Sequence, residues 1–264
     1  TVAGFDVQGV QEYAVPTRPI GYLCQQIEQI MRKLSSGNDR GPINIVVVGG
    51  GAGGVELSFT LDQRFGSMGL AANVKMIEKE QELLLTFSAS IRKRIYSQAK
   101  KRGISVICNS EVSRVMSDSV VLEDGTSLNF DLLIWVAGPW SQEIFKESGF
   151  STDSRGFVLT RSTLQFEGYD NLFGVGDCAT LKEAPLTPKA GVYAVRQGPY
   201  LTHNLYKWLE GGSLKSYHPQ GDFLTLLNLG NGSAVGGKWG WSFEGRWVMK
   251  LKDYIDRKFV ADFS

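Results

Sequence analysis

The chain has little cysteine and little histidine, two residue types that often hold metals or carry redox chemistry. Three cysteines and two histidines occur in 264 residues. Cys24, Cys108 and Cys178 form neither a CxxC pair nor the spacing of metal ligands, and His203 and His218 have no partner by spacing. We therefore predict no metal site. The isolated cysteines favour a reducing compartment, either cytoplasmic or organellar.

An excess of charge and long apolar runs are also lacking. The formal net charge is +1, so nothing points to nucleic acid as a partner. No stretch approaches the ~18 consecutive apolar residues of a membrane span. The composition, 42% hydrophobic and 21% charged, is that of a soluble globular protein.

Glycine, in contrast, is abundant, with 31 residues. Gly49, Gly51 and Gly54 satisfy the pattern GxGxxG between an apolar run at 43–48 and a predicted helix at 53–65. In such a turn the first glycine permits the tight bend, the second lets a pyrophosphate approach, and the third lets helix and strand pack closely. The helix N-terminus would then bind the phosphates. The pattern predicts a dinucleotide site.

An acidic residue follows the next predicted strand, at 73–77. Glu78 is placed to accept hydrogen bonds from ribose hydroxyls and to repel a 2′-phosphate, which favours NAD over NADP. Lys79 beside it weakens that preference. The sequence therefore predicts NAD(P)H as the cofactor, because it does not fix the choice between NADH and NADPH.

Glu56 is predicted to lie in the first turn of the helix that follows the glycine turn, and the sequence leaves two interpretations of it open. The carboxylate is stabilised by the helix dipole, or it lies near the nicotinamide or flavin as a catalytic residue.

The order of predicted elements is that of an α/β protein. Residues 1–20 read as an irregular connector. Alternating apolar and polar residues predict a small antiparallel insert at 111–123, and Asn231–Gly232 predicts a hairpin. The remaining predicted elements are helices at 22–34, 88–102, 191–208 and 247–263, and strands at 105–108 and 132–136.

Four motifs, in order, resemble the pyridine nucleotide-disulfide oxidoreductase superfamily, in the form of type II NADH dehydrogenases. They are Gly49–Glu56, Asp131–Gly138, Leu172–Asp177 and Pro188–Gly198. The resemblance implies an FAD-dependent NAD(P)H oxidoreductase in which NADH gives hydride to the flavin, and the flavin passes electrons to an unknown acceptor.

The same resemblance assigns further site residues. Gly138 and Gly176 belong to its cofactor-binding blocks, and Asp177 would hydrogen-bond the ribityl or pyrophosphate part of FAD. Lys189 would lie near the flavin pyrimidine edge as a catalytic residue that stabilises the reduced anion. Gln197 would face the ring or the acceptor, or lie at the surface.

The implied fold is a Rossmann-like nicotinamide-binding domain inserted in a partial FAD-binding domain, with a C-terminal hairpin and helix. The expected domains are a connector and helix of the FAD domain (1–41), the NAD(P) domain with its insert (42–140), the C-terminal part of the FAD domain (141–212) and C-terminal strands with an amphipathic helix (213–264). Because 48 residues precede Gly49, we expect the segment that binds the ADP part of FAD to be missing. We then expect weak FAD binding by this chain alone, and a homo-oligomer or a fused partner domain.

A narrower resemblance concerns the acceptor. The segments 187–199, 241–247 and 252–259 look like the flavoprotein domain fused ahead of selenide, water dikinase, which would make a selenium compound the acceptor.

Two alternatives stay open. One is a peripheral-membrane NADH:quinone oxidoreductase in which Trp239, Trp241, Phe243 and Trp247, with the basic tail, rest on lipid; we expect instead that these aromatics close the core of the flavin domain. The other is a catalytically silent nucleotide-binding fragment. The acceptor itself is not predicted by the sequence.

Overall fold

The computed structural model describes residues 3–35 and 41–261. These residues divide into a first unit (residues 3–138 and 224–261) and a second unit (residues 139–223).

The described elements are α1 (Val10–Tyr13), β1 (Val15–Pro16), α2 (Ile20–Ser35), β2 (Ile43–Val48), α3 (Ala52–Ser67), β3 (Ala72–Ile77), α4 (Ala89–Arg102), β4 (Ser105–Ile107), β5 (Val112–Val115), β6 (Ser119–Leu122), β7 (Ser127–Asn129), β8 (Leu132–Trp135), α5 (Ile144–Glu147), β9 (Val158–Thr160), β10 (Ala179–Leu181), α6 (Gly191–Leu209), β11 (Thr225–Asn228), β12 (Ala234–Lys238), β13 (Trp241–Gly245) and α7 (Arg246–Ala261).

The first unit is built on a parallel five-stranded sheet with the order β1-β8-β2-β3-β4. β2 lies at its centre, with Ile45 opposite Val74 on one side and opposite Leu132 on the other. A strand covered on both faces requires a nearly continuous apolar sequence, which the β-branched run of β2 supplies. The predicted α/β, Rossmann-like fold class is confirmed.

Successive side chains of β2 point to opposite faces of the sheet. Ile45 and Val47 join the core formed with α3 and α4. Val46 and Val48 join a second core with the antiparallel sheet β5-β6-β7. The antiparallel insert predicted at 111–123 is thus present, and it covers the sheet face opposite the helices.

The prediction of an irregular connector over residues 1–20 is wrong in part. This segment forms α1 and then β1, which pairs in parallel with β8 through Val15 opposite Ile134. The reason is long-range, because two residues become a strand only when the edge of β8 is available to them.

The C-terminal part of the first unit is an antiparallel sheet, β11-β12-β13, that packs on α3 and α4. Its loop at Gly230 has a φ of +75°, and a Cβ there would lie 2.8 Å from the Phe59 carbonyl oxygen. Arg102 of α4 donates a hydrogen bond of 2.7 Å to the Leu229 carbonyl. The hairpin predicted at Asn231–Gly232 is confirmed.

The amphipathic tail helix is confirmed as α7, which begins at Arg246. The end of the predicted helix, at residue 263, lies outside the described residues. Val248 is the α7 side chain buried against the sheet. Among the described residues, no helix combines the length and apolar character needed to cross a membrane.

The second unit contains the parallel pair β9 and β10, a 3-10 turn at Gly176–Cys178 and the long helix α6. Phe150 packs edge-on against Phe166 at 5.1 Å between ring centroids. The helix predicted at 191–208 is confirmed. Its N-terminal part lies close to the 3-10 turn. A Cβ added to Gly176 would lie 3.2 Å from the Ala194 Cβ.

Candidate functional site

The turn between β2 and α3 has no space for a side chain at Gly49 or at Gly54, the first and last glycines of the GxGxxG pattern. Gly49 has a φ of +116°, and a Cβ there would lie 2.6 Å from the Val136 carbonyl oxygen. A Cβ on Gly54 would lie 1.8 Å from the Gly49 carbonyl oxygen. Real carbon atoms cannot approach that closely, so both glycines are needed for α3 to start beside β2 and β8.

Gly51 differs from these two. Its φ is −71°, which any residue adopts, and no described atom lies within 4 Å of an added Cβ. The fold therefore does not require glycine there. Open space at the middle glycine is what close approach of a pyrophosphate to the backbone needs.

The first turn of α3 lies at this open space. Gly51 is its N-cap residue and has no side chain that could cap the helix. The first backbone N–H groups of a helix have no partner inside the helix and carry a partial positive charge. The start of α3 is therefore able to bind an anionic phosphate.

The structure brings Glu78 to the same turn. Its Oε2 accepts a hydrogen bond of 2.5 Å from the Gly50 N–H, and its Oε1 accepts one of 3.0 Å from the Glu80 N–H. A carboxylate has about four acceptor positions, so capacity remains for ribose hydroxyls.

Gly138 follows β8 in the same unit. Its carbonyl oxygen accepts a 2.8 Å hydrogen bond from the Ala3 N–H, and an added Cβ would meet no described atom within 4 Å. A cofactor-binding role for Gly138 stays a prediction.

Glu56 lies further from the helix start than the sequence suggested. It is the fifth residue of α3, beyond the first turn, where the dipole effect has faded, so the dipole explanation is wrong. Glu56 Oε1 accepts a 2.8 Å hydrogen bond from the Asn228 N–H, which ties α3 to β11. Burial raises the pKa of Glu56, while the Asn228 N–H and the charge of Lys252 act in the opposite direction.

The second unit has a pocket of its own, with an empty volume of about 320 Å³ that is partly open to solvent. Gly176, Asp177, Lys189 and Gln197, all assigned to a flavin site from the sequence, line it together. A peptide turn, a carboxylate, an amine and a buried amide thus meet at one cavity. That set of groups fits a ligand with several hydrogen-bonding and charged parts.

Gln197 stabilises the turn at Gly176, a role that the sequence did not predict. It is 6% exposed, and its Oε1 accepts a 2.6 Å hydrogen bond from the Gly176 N–H. Of the alternatives that the sequence left open for Gln197, a position at the surface is therefore wrong. Because Gly176 has a φ of +70°, this hydrogen bond holds a turn that favours glycine.

Lys189 is half-buried at the wall of the pocket. Its Nζ donates hydrogen bonds to the Ala179 carbonyl and, at 2.9 Å, to Thr180 Oγ1, and it lies 4.2 Å from the centroid of the Phe157 ring. Burial lowers the pKa of Lys189 to about 8. Sequence reasoning missed Thr180 and Phe157, since neither belongs to a motif that marks them.

Residues 6–200 match the sequence family described as pyridine nucleotide-disulphide oxidoreductase, and the chain belongs to that family.

Several curated relatives are NADH dehydrogenases or quinone reductases. A probable NADH dehydrogenase of Dictyostelium discoideum is 29% identical over 57% of this chain and 35% of its own length. A type II NADH:quinone oxidoreductase of Haemophilus influenzae is 26% identical over 75% of this chain and 47% of its own length. A demethylphylloquinone reductase of Synechocystis is 27% identical over 84% and 55%. The chain thus spans about a third to just over half of the length of these relatives.

Solved structures share the fold. The sulfide:quinone oxidoreductase of Aquifex aeolicus superposes with a TM-score of 0.80 at 16% identity, over 97% of this chain and 65% of that one. NDH2 of Plasmodium falciparum in complex with NADH gives a TM-score of 0.74 at 15% identity, over 98% and 72%.

We predict that two glycines of this turn differ in how much they contribute to stability. Gly54→Ala should lower the free energy of unfolding by more than ~2 kcal/mol, because the new methyl group overlaps the Gly49 carbonyl. Gly51→Ala should lower it by less than ~1 kcal/mol, since the methyl enters open space and only the N-cap preference for glycine over alanine is lost. Urea denaturation followed by circular dichroism measures both. Equal destabilisation by the two substitutions would contradict this reading of the turn.

Proposed function

We propose that this chain carries the nicotinamide site and part of the flavin site of an FAD-dependent NADH oxidoreductase. The observation that carries the proposal is the β2–α3 turn, where the fold requires glycine at positions 49 and 54 but leaves Gly51 facing open space. Membership of the family supports the same conclusion.

In the first unit, the start of α3 would bind the pyrophosphate of NADH. The backbone at Gly51 admits the phosphates, and the helix N-terminus stabilises their charge. Glu78 would accept a hydrogen bond from the adenosine ribose. Its carboxylate, held by the Gly50 and Glu80 N–H groups, disfavours a 2′-phosphate, so we propose NADH as the preferred nucleotide.

In the second unit, the pocket would hold part of FAD. When bound, FAD supplies the chemistry that accepts hydride from NADH and passes electrons onward. The turn at Gly176–Asp177, held by Gln197, would position its polar chain. The Lys189 ammonium places positive charge at the pocket wall, which favours a ligand that gains negative charge.

For the acceptor we propose a quinone, since relatives are named as quinone reductases. The resemblance of segments 187–199, 241–247 and 252–259 to the flavoprotein domain fused to selenide, water dikinase supports a selenium compound as the second candidate. Reduction rates with a soluble quinone and with selenite distinguish the two.

The test of the proposed function is an anaerobic absorption experiment on the purified chain mixed with FAD. Because we expect this chain alone to bind FAD weakly, FAD is supplied in excess, and we expect the protein-bound part of the flavin band to bleach when NADH is added. Gly51→Ala is the matched variant, because residue 51 does not line the pocket of the second unit and we expect its substitution to change stability little. It should bind flavin equally and require at least about tenfold more NADH for half-maximal bleaching.

Two outcomes would count against the proposal. A bound flavin that NADH does not bleach at saturation would overturn the oxidoreductase function. Equal NADH dependence in the wild type and in Gly51→Ala would remove the β2–α3 turn as the nucleotide site.

We also propose that this protein contacts a lipid surface through the β12–β13 turn and α7. Trp239 and Trp241 are 75% and 78% exposed, and Trp247 at the start of α7 is 56% exposed. The expectation that the aromatics close a core is therefore wrong for the three tryptophans, whereas Phe243 is half-buried and packs against Trp247. α7 carries five basic and two acidic residues. Exposed tryptophans beside basic groups favour the interface of an anionic membrane.

Vesicle co-sedimentation tests this surface. We expect binding to vesicles containing phosphatidylglycerol that weakens with salt, and weak binding to neutral phosphatidylcholine vesicles. Trp241→Ser combined with Trp247→Ser should lower binding by about tenfold. Trp140→Ser, at an exposed tryptophan of the second unit, is the control and should bind as the wild type does. Undiminished binding by the double variant would contradict the assignment.

A further inference from the structure

The Lys189 amine lies in a defined cradle. Two acceptors come from the start of β10, the Ala179 carbonyl and the Thr180 hydroxyl, and the ring of Phe157 covers another side. Thr180 and Phe157 are buried. A lysine side chain has about 2 kcal/mol of rotamer entropy to lose, so three fixed partners determine where its ammonium group lies.

Behind this cradle lies Asp153, which the sequence did not mark. Thr180 Oγ1 donates a 2.8 Å hydrogen bond to Asp153 Oδ2. A hydroxyl has one proton and two acceptor lone pairs. Because the Thr180 proton points to the carboxylate, a lone pair is left to face Lys189.

The other oxygen of Asp153 organises the loop that carries Phe157. Asp153 Oδ1 accepts hydrogen bonds from the Arg155 N–H, at 2.9 Å, and from the Phe157 N–H, at 3.1 Å. One carboxylate therefore fixes both the hydroxyl and the ring that contact Lys189.

The charges around Lys189 give Asp153 a second effect. Burial is the largest influence and lowers the pKa of Lys189 to about 8, and the charge of Arg155 acts in the same direction. Asp153 is the strongest opposing group, followed by Cys178 and Asp177. Loss of the Asp153 charge would therefore lower the pKa of Lys189 further.

We propose that Asp153, through Thr180 and the loop bearing Phe157, positions the Lys189 amine at the wall of this pocket and stabilises its ammonium form. The role of the amine toward flavin rests on the proposed function, but the positioning itself does not. Asp153 and Thr180 are thus positioning residues, which act through Lys189.

The test measures the protonation of Lys189 in the chain without added flavin. Acetic anhydride acetylates only neutral amines, so trace labelling across a pH series, read by mass spectrometry of the Lys189 peptide, gives the midpoint. We expect a midpoint near pH 8 in the wild type and one about one pH unit lower in Asp153→Asn. Asparagine keeps an acceptor for the loop N–H groups but removes the charge.

Thr180 provides a second pair of variants. Thr180→Val should lower the midpoint in the same direction, because the amine loses a hydrogen-bond acceptor. Thr180→Ser should restore it, since serine keeps the hydroxyl. This pair decides the proposal if Asp153→Asn does not fold.

Glu167→Gln is the matched control in the same unit. Glu167 pairs with Lys182 and raises its pKa, so this substitution should lower the midpoint of Lys182 and leave that of Lys189 unchanged. An unchanged or raised Lys189 midpoint in Asp153→Asn, or a Lys189 unreactive at every pH, would overturn the proposal. Because no flavin is present, failure here is distinguishable from failure of flavin binding.

Discussion

The first unit depends on the close approach of α3 to the end of β2. The Gly49 carbonyl lies where a side chain at Gly54 would have to be, with 1.8 Å to an added Cβ. This contact brings the start of α3 to the carboxyl ends of the parallel strands, where open α/β sheets bind their ligands. Glu78, at the end of β3, reaches the same turn. The nucleotide site that we propose is thus a consequence of one steric contact.

Much of this fold could be predicted because its signals are local. The spacing of Gly49, Gly51 and Gly54 reflects the geometry of one turn, and the apolar run of β2 reflects burial on both faces. The strand β1 and the hydrogen bond from the Asn228 N–H to Glu56 depend on residues far away in the chain. Periodicity carries no information about such pairings.

The second unit also contains some features that local sequence motifs predict and others that depend on long-range contacts. Asp177, Lys189 and Gln197 lie in motifs that resemble a known family, and the structure brings them to one pocket. Asp153 and Thr180 have no motif. Their importance comes from a hydrogen-bond chain that ends at Lys189, which exists only once β10 and the loop before β9 are in place.

We propose that two glycine turns of this chain, at Gly49–Gly54 and at Gly176, bind two different ligands, NADH and FAD. The most direct measurement is a pair of amide NMR titrations of the isotopically labelled chain, one with NADH and one with FAD. The account predicts that NADH shifts the resonances of Gly50, Gly51 and Ala52, and that FAD shifts those of Gly176 and the start of α6. Unchanged resonances at the β2–α3 turn in the presence of saturating NADH would contradict it.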